Sequence, residues 1–591
     1  MTNQILNNQR NALEVCISDS STKYSLTQST HETNLSVYRL RLELENESIP
    51  KPVKVVWKVP AINVKGMWRP TSDFSKHLEP DWQLENHESR ISIDAPVISL
   101  FGNNDENVVC FSCSNAVNRI ELAAKYREED NHFYCSIILF TECKYPIKDF
   151  EIDIRVDGRD IHFSRALMDT SKWWETYSDL KPTEVPSIAR QPLYSTWYQF
   201  HQDLDKERLL KESRLAKEIG FESIILDDGW QTNDNNRGYD YTGDWQPDRF
   251  PDFKDVITEI QSLGMKVGIW YSVPFCGKKS KAYQKFKGKF LTENHRWAPV
   301  FDPRYPEVRE YLIGIYTAAV REWNLDGLKL DFIDDFKSYP ETSFEQDENR
   351  DYRSINRAVE RLLGDVITEV KKINPEIFIE FRQKYTGPAI RKFGNMLRAF
   401  DCPGDYTMNK VRIADIRMLA GNTAVHADMV KWNFDETVED AALHYINSLF
   451  GVPQISVMLH EAPEPHLNMV KFYTQYWNQK SEVLLSDDFT PKNPTANYPI
   501  IMAKKGNEKI VGLFEDLVIK LEKPLHHIDI INAKKSNQVV IFSERDLGFY
   551  EYVLRNCQGS QIGKGTIELG EGVSLIEAPQ CGLVELKYIV K

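Results

Sequence analysis

Between residues 193 and 459 the chain alternates short apolar runs with helical patterns, and this repeat constrains the fold most strongly. The helical pattern at 205–220 ends at Gly220, which is placed as a C-terminal cap. Repeated strand–helix units of this kind predict a (β/α)8 TIM barrel. The alternative, a doubly wound sheet, usually carries a Gly-rich phosphate turn, and none opens these helices. Eight runs are interpreted as strands: 193–199, 223–228, 266–273, 327–332, 377–382, 396–401, 423–428 and 454–459.

The segments on either side of this repeat are rich in strand-like patterns. At 591 residues the chain is too long for one ordinary core. Polar and apolar residues alternate within 1–185, at 37–44, 53–59 and, less strictly, 133–140, and turn residues separate these runs. We predict a multidomain α/β plus β fold, with an N-terminal β-sandwich (1–185), the barrel (190–482) and a C-terminal antiparallel β-domain (485–591). The C-terminal strands are expected at 498–504, 509–515, 517–521, 538–543 and 583–588.

Charge and hydropathy exclude two classes of partner. The net charge is −14 and no Lys/Arg-rich stripe is present, so a nucleic-acid partner is not expected. No apolar run approaches the roughly 18 residues that a membrane helix needs, so no membrane partner is expected either. Large β-domains beside a barrel often assemble, which favours a homo-oligomer.

The first ten residues and the cysteines bear on location. Residues 1–10 contain neither a basic nor an apolar region of a signal peptide, so we expect a cytoplasmic protein. Nine scattered cysteines fit a reducing compartment. Cys110 and Cys113 form one Cys-x-x-Cys, but no second pair follows at zinc-finger spacing, so no metal site is expected there.

Polar and aromatic residues gather at the predicted carboxyl ends of the strands, where the active site of a TIM barrel lies. Aromatic residues make up 12% of the chain; they suit a sugar-binding pocket, although β-rich domains also use many of them. We therefore predict a polar pocket ringed by aromatic side chains. The residues at seven strand ends are Trp197 and Tyr198; Asp227, Asp228 and Trp230; Trp270 and Tyr271; Lys329 and Asp331; Glu380 and Arg382; Arg398 and Asp401; and His426 and Asp428.

The fourth predicted strand carries the most specific pattern. Strand side chains alternate, so Lys329 and Asp331 share one face while Leu328 and Leu330 share the other. If the leucines pack outward, the lysine and the aspartate point into the barrel near its mouth. The ammonium favours the ionised carboxylate. An ionised carboxylate at a strand end is what a glycosidase needs as its nucleophile.

Together these residues resemble the glycoside hydrolases of clan D, above all the family 36 α-galactosidases, the melibiase group. The resemblance covers about residues 190–480, and the β–barrel–β order is also similar to that family. The matching pieces are Trp197, Leu226-Asp-Asp-Gly-Trp230, Lys329-Leu-Asp331, Arg398-Ala-Phe-Asp401 and the Ala-Val-His-Ala of 424–427.

The resemblance implies roles for individual residues. Asp331 would be the nucleophile and Asp401 the acid/base, with Asp405 as a competing candidate. Asp227 and Asp228 would bind sugar hydroxyls. The remaining substrate-binding candidates are Lys329, Trp197, Trp230, Trp270, Arg382, Arg398 and His426.

The implied reaction is double-displacement hydrolysis of terminal α-linked galactose-type sugars with retention, by an exo-acting enzyme that needs no cofactor. The substrate would be an oligosaccharide or another glycoside. We expect Lys329 to lower the pKa of Asp331, and burial with a negative neighbour to raise the pKa of Asp401. Arg398, three residues before Asp401, is expected to position it.

Two segments depart from the family pattern. The family's Cys-x-Gly-Gly-Gly after strand 5 is replaced by the bulky, charged segment from Glu380 to Gly387. The Glu-Pro-Glu common after strand 3 is replaced by Ser272-Val-Pro-Phe. The catalytic pair therefore transfers better than the sugar specificity, and Arg382 or Lys384 could read a different, even charged, substituent.

Other functions stay open. Another clan D specificity is one: α-N-acetylgalactosaminidase, α-glucosidase-like activity or transglycosylation of the raffinose-synthase type. The carboxylates of Asp331-Phe-Ile-Asp-Asp335 could indicate a metal-dependent hydrolase, but Lys329 opposes a cation, and Asp334 and Asp335 more simply start a loop. A third alternative is a carbohydrate-binding protein without turnover.

Several candidate residues also have a purely structural interpretation. Asp227-Asp228-Gly229 could be a βα turn with an aspartate as helix cap. His426 could satisfy a hydrogen bond in the core. Trp197, Trp230, Trp245 and Trp270 could be rim packing instead of sugar platforms.

Overall fold

The computed structural model describes residues 13–589; residues 1–10, on which the signal-peptide prediction depends, lie outside this range. Two sheets form the N-terminal β-sandwich. Its strands are β1 (Glu14–Ile17), β2 (Thr22–Glu32), β3 (Leu35–Ser48), β4 (Val53–Pro60), β5 (Gly66–Trp68), β6 (His87–Ser89), β7 (Val97–Phe101), β8 (Asn107–Cys113), β9 (Ile120–Arg127), β10 (His132–Leu139) and β11 (Ile147–Asp157).

The two sheets have the orders β1-β4-β10-β9-β6 and β2-β3-β11-β8-β7-β5. Alternation along β4 explains the packing, because Val53, Val55, Trp57 and Val59 are buried while the residues between them are more exposed. The apolar faces therefore meet between the sheets, as in other sandwiches.

A helix that the sequence patterns did not indicate follows the sandwich: α1 (Phe163–Trp174). Its apolar residues recur at helical spacing and are buried. The Trp174 indole donates a hydrogen bond to the carbonyl of Cys113 at 2.9 Å, and the Ser171 hydroxyl donates to the carbonyl of Leu419 at 2.8 Å. The helix thus joins the sandwich to the barrel. The domain boundaries predicted near 185–190 and 482–485 stay a prediction.

Eight parallel strands form the barrel, and the predicted fold class is confirmed. An isolated parallel bridge joins His426 at the end of one outer strand to Val452, two residues before the other outer strand, so the sheet nearly closes on itself and is not doubly wound. The strands are shorter than the apolar runs suggested, because several runs continue into loops. In sheet order they are β20 (Ala424–His426), β19 (Met396–Arg398), β18 (Phe378–Arg382), β17 (Gly327–Asp331), β14 (Lys266–Ser272), β13 (Ser223–Leu226), β12 (Leu193–Ser195) and β21 (Gln454–Ile455).

Helices and one hairpin, β15 (Phe290–Thr292) with β16 (Val300–Phe301), connect these strands. The helix over Lys206–Ile219 begins and ends as predicted. The Asp205 carboxylate accepts the Arg208 N–H at 2.8 Å, and Gly220 ends the helix at φ 118°. The helices are α2 (Trp197–Phe200), α3 (Lys206–Ile219), α4 (Phe253–Ser262), α5 (Lys281–Lys285), α6 (Pro306–Trp323), α7 (Ile355–Ile373), α8 (Tyr406–Arg417), α9 (Val438–Ile446) and α10 (Glu464–Leu484).

The floor of the barrel is apolar. Leu193, Ile225, Met396 and Ala424 pack there around the Phe378 ring. Gly268 and Gly327 leave room for that ring, since a Cβ on them would lie 2.7 and 2.1 Å from it. One side-chain layer higher, the inward-facing residues are charged or polar, so the sequence places the site above a sealed floor.

The C-terminal domain contains two sheets, with the orders β22-β23-β24-β26-β31-β28-β29 and β25-β27-β30. Most neighbours are antiparallel, as predicted, but β24 pairs with β26, and β25 with β27, in parallel. The strands are β22 (Asp488–Lys492), β23 (Ile500–Lys505), β24 (Glu508–Leu513), β25 (Val518–Lys520), β26 (His527–Asn532), β27 (Gln538–Ser543), β28 (Phe549–Arg555), β29 (Gln561–Glu568), β30 (Gly572–Glu577) and β31 (Leu583–Tyr588).

One buried carboxylate joins all three regions. Asp415, on α8, pairs with Lys76 of the sandwich at 2.9 Å. It also accepts hydrogen bonds from the Trp68 indole at 2.8 Å and from the Tyr498 hydroxyl at 2.5 Å. These partners come from the N-terminal and C-terminal segments, so the contact fixes both against the barrel. Within residues 13–589, no helix has the length and apolar character needed to span a membrane.

Candidate active site

Asp331 ends β17 and is surrounded by hydrogen-bond donors, and Leu328 and Leu330 face outward into the core, as alternation predicted. Oδ1 of Asp331 accepts from Arg382 Nε at 2.7 Å and from the Tyr385 hydroxyl at 3.2 Å. It also accepts the backbone N–H that follows it, at 2.7 Å. Among the described residues, Oδ2 accepts a single hydrogen bond, from the Trp270 indole N–H at 3.0 Å. One oxygen is therefore saturated, and the other has a single donor.

These neighbours fix the charge of Asp331. Burial alone raises its pKa, but Arg382, Lys329 and the Trp270 hydrogen bond outweigh burial and hold the pKa well below its usual range. The direction agrees with the prediction, yet Arg382 contributes more than Lys329. The lysine instead pairs directly with Asp227, at 2.6 Å.

The two strand 2 aspartates have different partners. Asp228 forms no ion pair within residues 13–589 and accepts hydrogen bonds from the amides of Gln202 and Gln231 at 2.8 and 2.6 Å. Burial raises the pKa of Asp228 to about 7. Neither Asp228 nor Asp227 caps a helix, because the next helix, α4, begins only at Phe253. Each oxygen of these two buried carboxylates accepts a hydrogen bond from a neighbouring group of the protein.

Asp401 lies beyond the end of β19, and its side chain is 40% exposed at the mouth. Arg398 Nη1 contacts Oδ1 of Asp401 at 2.9 Å and Oδ1 of Asp428 at 2.6 Å. The prediction of a raised pKa for Asp401 is wrong: burial acts in that direction, but Arg398 and two further cations lower the pKa below its ordinary value. The raised carboxyl is Asp428, where burial and the neighbouring Asp401 bring the pKa to about 6.

The competing candidate, Asp405, has a structural role. Its Oδ1 accepts the backbone N–H of Met408 at 2.8 Å, which makes it the N-cap of α8. Asp401 has no comparable backbone bond and is held by Arg398 instead. Asp405 is thus engaged as a helix cap, and the assignment of Asp401 as acid/base stays a prediction.

Two predicted substrate-binding residues do not reach the mouth. Trp230 is completely buried; its indole donates to the carbonyl of Trp270 at 2.9 Å, and its ring stacks on Phe253. It lies beyond the end of β13, where strand alternation no longer decides direction. His426 faces inward near the floor, donates to the carbonyl of Ala189 at 2.7 Å and accepts from Gln454 at 3.1 Å.

Burial lowers the pKa of His426 to about 4, so it is a neutral core histidine near neutral pH. Trp245 is also buried and packs in the core. His426, Trp245 and Trp230 therefore have the purely structural role that was the alternative interpretation of these residues. Trp270 contacts Asp331, while Trp197 stays partly exposed beside His201, with ring centroids 4.7 Å apart.

Arg382 is fully engaged by the protein itself. Besides Asp331 it donates to the carbonyl of Gln383 at 2.6 Å, and its Nη2 lies 3.4 Å from Asp334. Three aromatic rings, those of Phe332, Tyr385 and Phe400, surround the guanidinium at 5.0–5.3 Å. It therefore offers no unpaired cation to a charged substituent. Lys384 is exposed, and only its carbonyl is held, by the Asp94 N–H at 2.6 Å.

Several residues at the mouth were not found from the sequence. Tyr385 contacts Asp331 from the segment that departs from the family pattern. Tyr239, in the loop after β13, packs against Trp270 and against the exposed Trp297. Gln202 and Gln231 also come from loops. No periodic pattern marks loop residues, so only Tyr385, in the conspicuous replacement, carried a sequence signal.

Metal ligation finds no support in the geometry. In the described part of the chain, no three His, Cys, Asp or Glu residues are grouped in a way that could hold a metal ion. The carboxylates at the mouth are instead interleaved with Lys329, Arg382 and Arg398.

Comparison with known proteins connects this geometry to a family. Residues 171–383 match the melibiase family model. Alpha-galactosidase AgaA of Geobacillus stearothermophilus is 29% identical over 121 residues, 19% of this chain and 16% of that protein. Probable alpha-galactosidase G of Emericella nidulans is 25% identical over 170 residues, 26% of this chain and 23% of that protein. The matched stretches thus span less than a quarter of either relative.

Solved structures extend the likeness to the whole fold. The crystal structure of a doubly substituted GH36 alpha-galactosidase AgaA from Geobacillus stearothermophilus, in complex with raffinose, has a TM-score of 0.67 at 15% identity. The match covers 98% of this chain and 83% of that one. The galactosidase domain of alpha-galactosidase-sucrose kinase AgaSK gives 0.66 at 11% identity, over 98% and 82%. The predicted resemblance to the family 36 α-galactosidases is confirmed.

Proposed function

We propose that this protein is an exo-acting, retaining α-galactosidase that hydrolyses terminal α-linked galactose-type sugars. The observation that carries the proposal is the state of Asp331, which is ionised and oriented and has Oδ2 held by a single donor. That oxygen is suited to attack an anomeric carbon. The family match and the relatives' printed names support the substrate class.

In the first step, Oδ2 of Asp331 forms a bond to the anomeric carbon while the glycosidic bond breaks. Asp401 protonates the departing oxygen. A covalent glycosyl-enzyme results, and Asp401 then takes a proton from the water that releases the sugar. Two inversions at one carbon give net retention. This mechanism requires roughly 5–5.5 Å between the two carboxyl groups.

The proton for the first step needs a source, because Arg398 lowers the pKa of Asp401. Asp401 and Asp428 contact the same guanidinium nitrogen, so they titrate as a pair. The pair binds a proton near pH 6, where the pKa of Asp428 lies. Acid catalysis uses the fraction in which this proton resides on Asp401. Activity should therefore be highest at mildly acidic pH.

The sugars bound in related crystal structures suggest a substrate. AgaA has been crystallised with raffinose, and an α-galactosidase of Thermus thermophilus with stachyose. We propose that the terminal galactose of such an oligosaccharide occupies the pocket formed by Asp227, Asp228 and Trp270. A homo-oligomer also remains part of the proposal.

Hydrolysis of p-nitrophenyl α-D-galactopyranoside by wild type and by Asp331→Asn tests this function. Loss of the nucleophile should reduce kcat by about 10³-fold or more. Proton NMR of the first-formed sugar should show the α-anomer. Equal rates for both proteins, or a β-anomer as the first product, would refute the mechanism.

One observation favours a second specificity. Arg382 and Tyr385 occupy space where the family has a glycine run, and both contact the nucleophile. Another clan D activity, including α-N-acetylgalactosaminidase or a transglycosylase, is therefore the alternative. A panel of nitrophenyl α-glycosides, with and without a sugar acceptor, separates these possibilities from α-galactosidase activity.

A further inference from the structure

The N-terminal sandwich contacts helix α8 through the segment 68–76, which begins at the last residue of strand β5. Lys76 and Trp68 both contact Asp415 on this helix, at 2.9 and 2.8 Å. The helix begins at Tyr406, shortly after Asp401 in the chain. A sandwich element therefore holds the helix that immediately follows the proposed acid/base.

A second contact between the sandwich and helix α8 also involves the loop that carries Asp401. Arg412 makes a two-pronged ion pair with Asp73 of the sandwich, with Nε–Oδ1 at 3.0 Å and Nη2–Oδ2 at 2.8 Å. The remaining nitrogen, Nη1, donates to the carbonyls of Phe400 and Asp401 at 3.1 and 3.2 Å. A single guanidinium thus connects another domain to the backbone of the proposed acid/base.

The loop needs such support. It is irregular from Ala399 to Asp405, between the end of β19 and the N-cap of α8. Arg398 holds the Asp401 carboxylate and the carbonyl of Ala399 at the start of the loop, but it makes no hydrogen bond to the backbone of Asp401 itself in the described part of the chain. Gln383 Oε1 accepts the Phe400 N–H at 3.0 Å and Asp428 Oδ2 accepts the Cys402 N–H at 2.7 Å, so barrel residues hold the amides of this loop. Arg412 holds the carbonyls of Phe400 and Asp401, and Asp73 keeps the guanidinium in place, since a bidentate ion pair restrains both position and plane.

The sandwich also supports the opposite side of the mouth. The Asp94 N–H donates to the carbonyl of Lys384 at 2.6 Å. Gly387 approaches so closely that a Cβ there would lie 2.2 Å from the Asp94 carbonyl oxygen. Contacts from one domain therefore brace both loops that border the proposed catalytic carboxylates.

We propose that Asp73 and Arg412 are positioning residues that let the N-terminal sandwich hold Asp401 in proton-transfer geometry. This inference rests on the proposed function. A general acid must lie within hydrogen-bond reach of the leaving oxygen, and a small displacement lowers the rate strongly. The sandwich would then contribute to catalysis without touching the sugar.

Two conservative variants test the proposal: Asp73→Asn and Arg412→Lys. Asp73 has φ 48°, a backbone conformation that asparagine tolerates well, so Asp73→Asn removes charge without adding backbone strain. Arg412→Lys keeps the charge but cannot reach the aspartate and two carbonyls at once. The matched control is Lys535→Ala, which removes an ion pair between the C-terminal domain and Asp440 of α9.

The kinetic readout compares two leaving groups. An α-galactosyl disaccharide depends on protonation of its leaving oxygen, whereas α-galactosyl fluoride needs little help from an acid. Each of the two variants should lose about tenfold in kcat/KM on the disaccharide and less than twofold on the fluoride. A general structural defect would slow both substrates equally, and that result would overturn the proposal. The control should match wild type on both.

A second readout does not depend on turnover. Hydrogen–deuterium exchange of the amides in 399–405 should be faster in both variants than in wild type, and unchanged in the control. If wild type hydrolyses no α-glycoside, the proposed function fails, and exchange alone still decides whether the sandwich holds this loop. Unchanged exchange in both variants would overturn the inference.

Discussion

The ends of strands β17 and β19 carry the two proposed catalytic carboxylates in opposite surroundings. Asp331 is the last residue of its strand, is buried and accepts several hydrogen bonds from neighbouring elements. Asp401 lies beyond its strand, is partly exposed and depends on Arg398 and a braced backbone. The first site is therefore fixed by the sheet, and the second by contacts between distant segments.

The largest loss of activity is expected for Asp401→Ala, which tests the role of the carboxylate beyond strand β19. Removing a general acid should lower kcat/KM on a disaccharide about 10²–10⁴-fold, with a smaller loss on an activated substrate. Azide should restore turnover of the activated substrate, because it attacks the glycosyl-enzyme without a base. Asp405→Ala is the matched variant: it loses only a helix cap, worth about 1 kcal/mol of stability. Similar kinetic losses in both variants would contradict the assignment.

Arg382→Met tests whether the contacts at the end of strand β17 keep Asp331 ionised. It leaves the Asp331 carboxylate buried with its main counter-charge removed, so the pKa of Asp331 should rise, and the acid limb of kcat/KM should move to higher pH. Breaking a buried ion pair should also cost about 3 kcal/mol in the free energy of unfolding, measured in urea. Lys329→Met should move the acid limb less, because Lys329 pairs with Asp227. A larger shift for Lys329→Met would reverse the ranking of the two cations.

Asp228→Asn tests how a buried carboxyl without an ion-pair partner changes the pH dependence of stability. Its pKa is raised to about 7, so the folded protein binds the proton more tightly than the unfolded chain. Titration of Asp228 should therefore remove stability from wild type as pH rises from about 4 through about 7, and the variant should lack this contribution. Between pH 5 and 8 the variant should gain on the order of 2–3 kcal/mol relative to wild type. Parallel stability–pH curves from urea unfolding would contradict this.

The smallest effect is expected for Lys384→Ala. Its side chain is exposed, and only its backbone takes part in the mouth. Rates on neutral and on acidic α-glycosides should change less than twofold. A selective loss on acidic substrates would instead revive the idea that this segment reads a charged substituent.

Sequence patterns predicted the positions of the barrel strands and which of their side chains face inward. Alternation placed Lys329 and Asp331 inside the barrel, and the apolar runs located all eight strands. Strand alternation shows whether a side chain points into the barrel, but not how far it lies from the barrel floor. It could therefore not show that His426 lies near the floor. It also ends with the strand, which is why Trp230 was placed at the mouth although it is buried.

The electrostatic partners could not be predicted, because they come from other strands and loops. Lys329 is two residues from Asp331, yet its direct partner is Asp227 on another strand. The pKa of Asp401 depends on sharing Arg398 with Asp428, a contact set by three-dimensional proximity. The assigned roles of these residues stay predictions until the variants are measured.

The buried contact at Asp415 has a consequence for how the chain is made. Trp68 and Lys76 leave the ribosome early, Asp415 much later, and Tyr498 last. Until Tyr498 emerges, the nascent barrel would carry a carboxylate in an apolar environment that lacks one of its donors. We therefore expect the barrel to reach its final packing only when synthesis is nearly complete, and fragments cut at either predicted boundary to depend on chaperones.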